Sequence, residues 1–168
     1  MGETTTSVFK IHINGTKEDV WRVLTRTDKL NPVFFNMRMD VDRFEPGGKL
    51  RMRTAGDKYT GAVGEILECD PPNKLVHTFR FTQYDDPPCT MTYELNDAPQ
   101  GGVDFSLIAS DIPVGTKSAG QLGGGAKMIG EALKSMVERG KPTFTMWMIG
   151  LVGKIAPVPK KCRTENWP

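Results

Sequence analysis

The sequence predicts an α+β fold, an antiparallel sheet of six or seven strands packed against one long C-terminal helix. Three observations carry this reading. Strand-like runs succeed one another with only short, turn-rich connections, which pairs neighbours as hairpins in a meander and not as parallel strands. One long stretch with helical rhythm, residues 118–140, follows the last of them. The charged and apolar residues of that stretch separate onto opposite faces, as in a helix made to lie on a sheet.

In chain order, "SVFKIHI" (residues 7–13) alternates apolar with polar neighbours and reads as the first strand. After Asn14 and Gly15, Thr16 caps a short helix, with Asp19 in the capping-box position. Val20, Trp21 and Leu24 form its apolar stripe, and the helix must yield by Asn31, because a residue before proline avoids helical geometry. Residues 35–44 read as the second strand, turning at "EPGGK" into "LRMRTAG". "GAVGEILEC" runs into Pro71 and Pro72, and "KLVHTFRF" returns with Leu75, His77, Phe79 and Phe81 on one face. "TMTYEL" and "GVDFSLIA", joined through "NDAPQGG", close the sheet. In the last element Ile129, Leu133, Met136 and Val137 share one face, opposite Glu131, Lys134, Glu138 and Arg139. Gly140 and Pro142 then stop it. Its glycines at 123–125 read as a loop leading into a helix over residues 123–139.

A chain of 168 residues that is 38% hydrophobic and 25% charged has the composition of a single soluble globular domain. A net charge of +2, with acids and bases interleaved, gives no reason to propose a nucleic-acid partner. Cys69, Cys89 and Cys162 are odd in number and far apart, which suits a reducing, cytoplasmic compartment and small apolar roles. No signal-peptide pattern opens the chain. Gly2 and Thr6 do satisfy the short myristoylation pattern, but a flexible start reads better.

The glycine run invites a phosphate-site reading and fails it. From Gly120 the second glycine of a P-loop falls at Gly125, but Ala126 stands where the lysine belongs, and Lys127 is followed by Met128. Met128 also occupies the third glycine of a dinucleotide fingerprint, and both motifs require a parallel strand–helix–strand unit. His12 and His77 have no metal-ligand spacing to each other or to cysteine, and no nucleophile elbow is present, so neither metal nor cofactor is expected. His77 reads as a ring in the core or cavity wall. Asp85 and Asp86, in a proline-rich turn, read as solvated.

Several stretches resemble one family in the right order. "KEDVWRVLTRTDKL", "PGGKLRMR", "GAVGEILECDPPNKLVHTF", "MTYELNDAPQGGVDFSL" and "EALKSMVERG" are similar to segments of the family named after the Hsp90 ATPase activator. The resemblance spans residues 7–140 and implies a helix-grip fold of the START/Bet v 1-like (SRPBCC) superfamily, a curved sheet wrapped around its last helix with a cavity between. One departure is that Ala126 and its neighbours offer no tryptophan where members often carry one after the glycine that opens the last helix. In that superfamily the cavity commonly holds lipids or other apolar molecules.

The resemblance and the strand alternation together make Met52, His77, Phe79, Met91 and Phe105, with Met128 and Ala132 from the helix, the candidate ligand-binding residues. Nine methionines fit an adaptable apolar wall. The expected function is therefore binding of a small hydrophobic ligand or lipid. The alternatives are a cyclase- or hydratase-like enzyme in the same cavity, with His77 or Tyr93 moving protons, and an Hsp90-associated interaction module. The extension 141–168 lies outside the resemblance. Its segment 143–156 is apolar almost all round but below the ~20 residues that span a bilayer. It is expected to dock on its own domain or form a homodimer, with two further arrangements open. These are a membrane surface helped by Lys160, Lys161 and Arg163, and a flap over the cavity.

Overall fold

The computed structural model describes residues 2–168. Strand β1 (Thr4–Ile13) leads through Gly15 into helix α1 (Lys17–Leu24), whose cap Thr16 accepts a hydrogen bond from the Asp19 backbone N–H. Strands β2 (Arg38–Val41), β3 (Lys49–Arg53), β4 (Thr60–Asp70), β5 (Lys74–Phe81), β6 (Cys89–Asp97) and β7 (Val103–Pro113) follow. Helix α2 (Lys117–Arg139) and the short helix α3 (Phe144–Val152) complete the regular elements. All neighbouring strands are antiparallel, in the order β1-β7-β6-β5-β4-β3-β2. The result is a helix-grip α+β fold.

Only β2 to β7 form the meander read from the sequence. β1 crosses over through α1 and pairs with the far strand β7, placing Ile11 opposite Phe105 and Ile13 opposite Val103. Alternation then decides the faces. On β6 Cys89, Met91, Tyr93 and Leu95 are buried, while Thr90, Thr92 and Glu94 between them are half-exposed. α2 packs across β1 and β7 and against α1, and Leu133 and Ala132 are fully buried there with Val20, Leu24 and Phe105. This end of the molecule is a filled core.

The second strand is shorter than expected. Asn31 caps a turn of 3₁₀ helix at Pro32–Phe34, and Phe35 and Asn36 then both take left-handed backbone conformations, with φ of 53° and 59°. That geometry cannot extend a strand, so β2 starts only at Arg38. The aromatic-rich string 33–37 becomes a bulging loop.

α2 departs from expectation more. It begins at Lys117, so Gly120, Gly123, Gly124 and Gly125 lie inside the helix and not in a loop before it. Two side chains fix the earlier start. Thr116 accepts from the Ala119 N–H, and Asp86 accepts from both the backbone N–H and the hydroxyl of Ser118, at 3.0 and 2.7 Å. Asp86 is thus engaged, not simply solvated, and the Ser118 hydroxyl bond holds its carboxyl below the usual range. Anchoring by Thr116 and Asp86 offsets a glycine cost of about 1 kcal/mol per residue relative to alanine. Gly140, with φ of 70°, closes the helix as expected.

Candidate functional site

Between the inner face of β2 to β6 and the first half of α2 the molecule is hollow. The cavity has a volume of about 520 Å³, within the range of small-molecule sites. Strand register builds one wall. Met39 pairs with Met52, Met52 with Ala62, Ala62 with Phe81, and His77 with Met91, so the same-face side chains of five strands converge. α2 supplies Leu122, Ala126, Met128 and Ile129 opposite them, and the exposed glycine turns form part of the mouth.

Of the residues anticipated from sequence, Met52, His77, Phe79, Met91 and Met128 line this space. Phe105 and Ala132 do not. Both are fully buried in the filled half, behind Tyr93, whose ring centroid lies 6.4 Å from that of Phe105. Strand alternation turned Phe105 inward and the helix face did the same for Ala132, but neither pattern shows where the interior changes from core to cavity. Sequence reasoning missed the loop residues Phe34, Phe35 and Met37, because the left-handed pair that folds them inward leaves no periodic signal. It also missed Val158 and Cys162, far along the chain.

The final segment reaches the cavity as a strap. The carbonyl of Trp167 accepts from the Arg53 guanidinium at 2.8 Å, the hydroxyls of Thr164 and Thr60 meet at 3.1 Å, and the Thr164 N–H bonds the Lys58 carbonyl. Arg80 lies over the Trp167 ring, 5.6 Å from its centroid. These ties hold Val158 and Cys162 against the cavity. The apolar segment before the strap forms α3, which buries Met146 against its own chain and leaves Phe144, Trp147, Leu151 and Val152 exposed. Among the described residues, no helix is long and apolar enough to cross a membrane.

The buried polar groups on the cavity wall are satisfied within the protein. The His77 Nδ1 lies 2.7 Å from the Thr78 carbonyl oxygen, which can only accept, so this nitrogen carries the proton. Nε2 is then the acceptor for the Tyr93 hydroxyl at 3.3 Å, and the two rings stack 5.5 Å apart. Burial holds the His77 pKa down at about 4 and pushes the Tyr93 phenol well above its ordinary value. Both are neutral at physiological pH. The Thr82 hydroxyl donates to the Thr60 carbonyl at 2.5 Å, and the Thr60 hydroxyl accepts from Arg53 at 2.6 Å. No Asp, Glu, Lys or Arg is among the described residues that line the cavity. No cluster of three His, Cys, Asp or Glu among the described residues is placed to hold a metal.

The fold recurs in solved structures. A protein of Mesorhizobium loti superposes with a TM-score of 0.66 at 21% identity, covering 80% of this chain and 98% of its own. The Aha1 dimer of Colwellia psychrerythraea gives 0.64 at 15% identity, with 82% and 98% covered. An Hsp90 activator from Plasmodium falciparum gives 0.52 at 20% identity, with 70% and 79% covered. No curated protein sequence matches the chain. The family described as activator of Hsp90 ATPase homolog 1-like protein matches residues 14–138, from the turn before α1 to the last turn of α2, and so takes in the sheet from β2 onward and the helices α1 and α2. The chain belongs to that family.

Proposed function

We propose that the protein binds a small, uncharged, apolar molecule in the cavity between the sheet and the first half of α2. The observation that supports this most is the wall itself, about 520 Å³ of space lined by methionine and aromatic side chains without one formal charge. An ionised ligand group placed there would lose its hydration with nothing to replace it. Five of the nine methionines (Met37, Met39, Met52, Met91 and Met128) lie on this wall, where flexible thioethers can repack around ligands of differing outline. The cavity is complete within one chain and asks for no second copy.

The His77–Tyr93 pair bears on the enzyme alternative. A general acid or base works best with a pKa near the operating pH, and burial moves the pKa values of these two groups away from pH 7 in opposite directions, keeping both uncharged. The pair fits a fixed polar mark on an apolar wall, able to orient a ligand hydroxyl or carbonyl, better than it fits a proton relay. Association with Hsp90 is what the family's description and the Plasmodium falciparum neighbour would add, and a ligand in the cavity needs no such partner.

Fluorescence titration with N-phenyl-1-naphthylamine, a neutral apolar dye, tests the reading. Phe79→Ala, on the cavity face of β5, is expected to weaken binding at least fivefold, while Thr92→Ala on the outer face of β6 leaves it unchanged. Arg80 is an unsuitable control despite facing outward, because it holds the strap through Trp167. Met128→Trp, which fills the cavity without removing core volume, is expected to abolish binding. Equal effects from Phe79 and Thr92, or undiminished binding to the Met128 variant, overturn the proposal.

A further inference from the structure

We infer that α3 is a docking surface for an anionic lipid bilayer, seated against the loop that forms one wall of the cavity. The helix is apolar all round, but its own chain covers only one side. Met146 is buried and Ile149 half-buried, whereas Phe144 is 74% exposed, Trp147 53%, Leu151 49%, and Ile155 just beyond the helix 84%. Large apolar side chains left together in water mark an interaction site.

Charge selects the occupant. Six of the chain's 22 basic residues fall within residues 139–164 (Arg139, Lys141, Lys154, Lys160, Lys161 and Arg163), and none of its 20 acidic residues does, so the rest of the chain is net negative by four. Lys161 reaches Asp85 at 3.5 Å and Arg163 reaches Glu165 at 3.9 Å. Among the described residues, Arg139, Lys141, Lys154 and Lys160 have no acidic partner within 4 Å. A two-fold dimer through α3 would bring this basic segment near its own copy, since such an interface sets the same patch against itself. An anionic bilayer complements it instead, taking the apolar face into the acyl boundary and the lysines at the headgroups. Phe144 and Trp147, with ring centroids 5.8 Å apart, provide the aromatic pair suited to that depth.

The position of α3 gives the surface a use. The groove beneath it is bounded by Pro32 and Asn36 on one side and by Met146, Trp147 and Lys154 on the other. Phe34, Phe35 and Met37 of the same loop line the cavity. A bilayer held by α3 therefore lies one loop away from an apolar, uncharged chamber. The surface itself does not rest on the cavity reading. Its test reads lipid binding alone.

The experiment is flotation of the full chain with vesicles of phosphatidylcholine plus phosphatidylglycerol, against phosphatidylcholine alone, at about 0.1 M ionic strength and again at high salt. The chain is expected to float with the anionic vesicles, at least tenfold better than with the neutral ones, and to be released by salt. Trp147→Glu combined with Ile155→Glu should abolish flotation while leaving the thermal melt unchanged, since both side chains are exposed. Lys154→Gln and Lys160→Gln should each weaken it about fivefold, which keeps the test open if the glutamate variant folds poorly. Absence of flotation, or equal flotation with neutral vesicles, overturns the inference. So does a dimer in sedimentation velocity that Trp147→Glu disperses in a chain that does not float, which would assign α3 to a second copy.

Discussion

Replacing Gly120, Gly123 and Gly124 together by alanine should make the protein more stable and its cavity slower to fill. All three sit on the exposed side of α2 in helical geometry, and a methyl group added at any of them meets no atom within 4 Å. Each change then gains only the helix propensity that separates alanine from glycine, about 0.8–1.0 kcal/mol, or about 2–3 kcal/mol for the three. For a chain of this size that corresponds to a rise in Tm of roughly 5–10 °C. Gly130 in the same helix supplies the internal contrast. A methyl there would lie 2.3 Å from Cε1 of the half-buried Phe9 ring on β1. Overpacking of that kind costs about 1–3 kcal/mol and cancels or exceeds the same propensity gain. Thermal unfolding by circular dichroism reads the stabilities, and amide exchange across residues 117–126 reads the local effect. Because Gly120 and Gly124 border the cavity, stopped-flow uptake of the dye should slow in the triple variant. A triple variant no more stable than the parent would refute the reasoning, as would Gly130→Ala stabilising to the same degree.

Three further outcomes are expected. His77 has a folded pKa of about 4 against an ordinary 6.5, so the unfolded chain binds the extra proton between those values; its contribution is complete above pH 6.5 and is lost as pH falls toward 4, at most about 3 kcal/mol. Urea unfolding of His77→Gln across that window should show a flatter profile than the parent, and parallel profiles would count against the assignment. Asp86→Ala should speed amide exchange in the first turns of α2 and lower Tm, whereas Asp85→Ala, whose carboxylate is 91% exposed, should do neither. Across a series of straight-chain alcohols, each added methylene should tighten binding about fourfold until the cavity is full, and a flat series would argue for surface adsorption.

How far the sequence announces this molecule depends on periodicity. Where side chains alternate, as in Leu75, His77, Phe79 and Phe81, both the strand and its inward face were readable, and the cavity residues Met52, His77, Phe79 and Met91 came from that signal, with Met128 taken from the inner face of the last helix. Where backbone conformation or distant anchoring decides, the signal fails. Nothing in "PVFFNM" reports that Phe35 and Asn36 will turn left-handed, and a glycine run reads as a break until Asp86, over thirty residues earlier, is seen to hold Ser118. The crossover of β1 to β7 is likewise a long-range choice, made by the packing of α1 and α2 and not by any local pattern. Phe105 and Ala132 show the remaining limit, since inward-facing and cavity-lining are the same statement to a sequence and different ones to a structure.

Methionine-methyl NMR of the full chain, titrated with a neutral apolar ligand such as N-phenyl-1-naphthylamine, tests the central claim most directly. The claim of an internal apolar site predicts saturable shifts at the methyls of Met37, Met39, Met52, Met91 and Met128, with Met136 in the outer turns of α2 and Met146 and Met148 on α3 unmoved. Shifts confined to Met146 and Met148, or none that saturate, would contradict it.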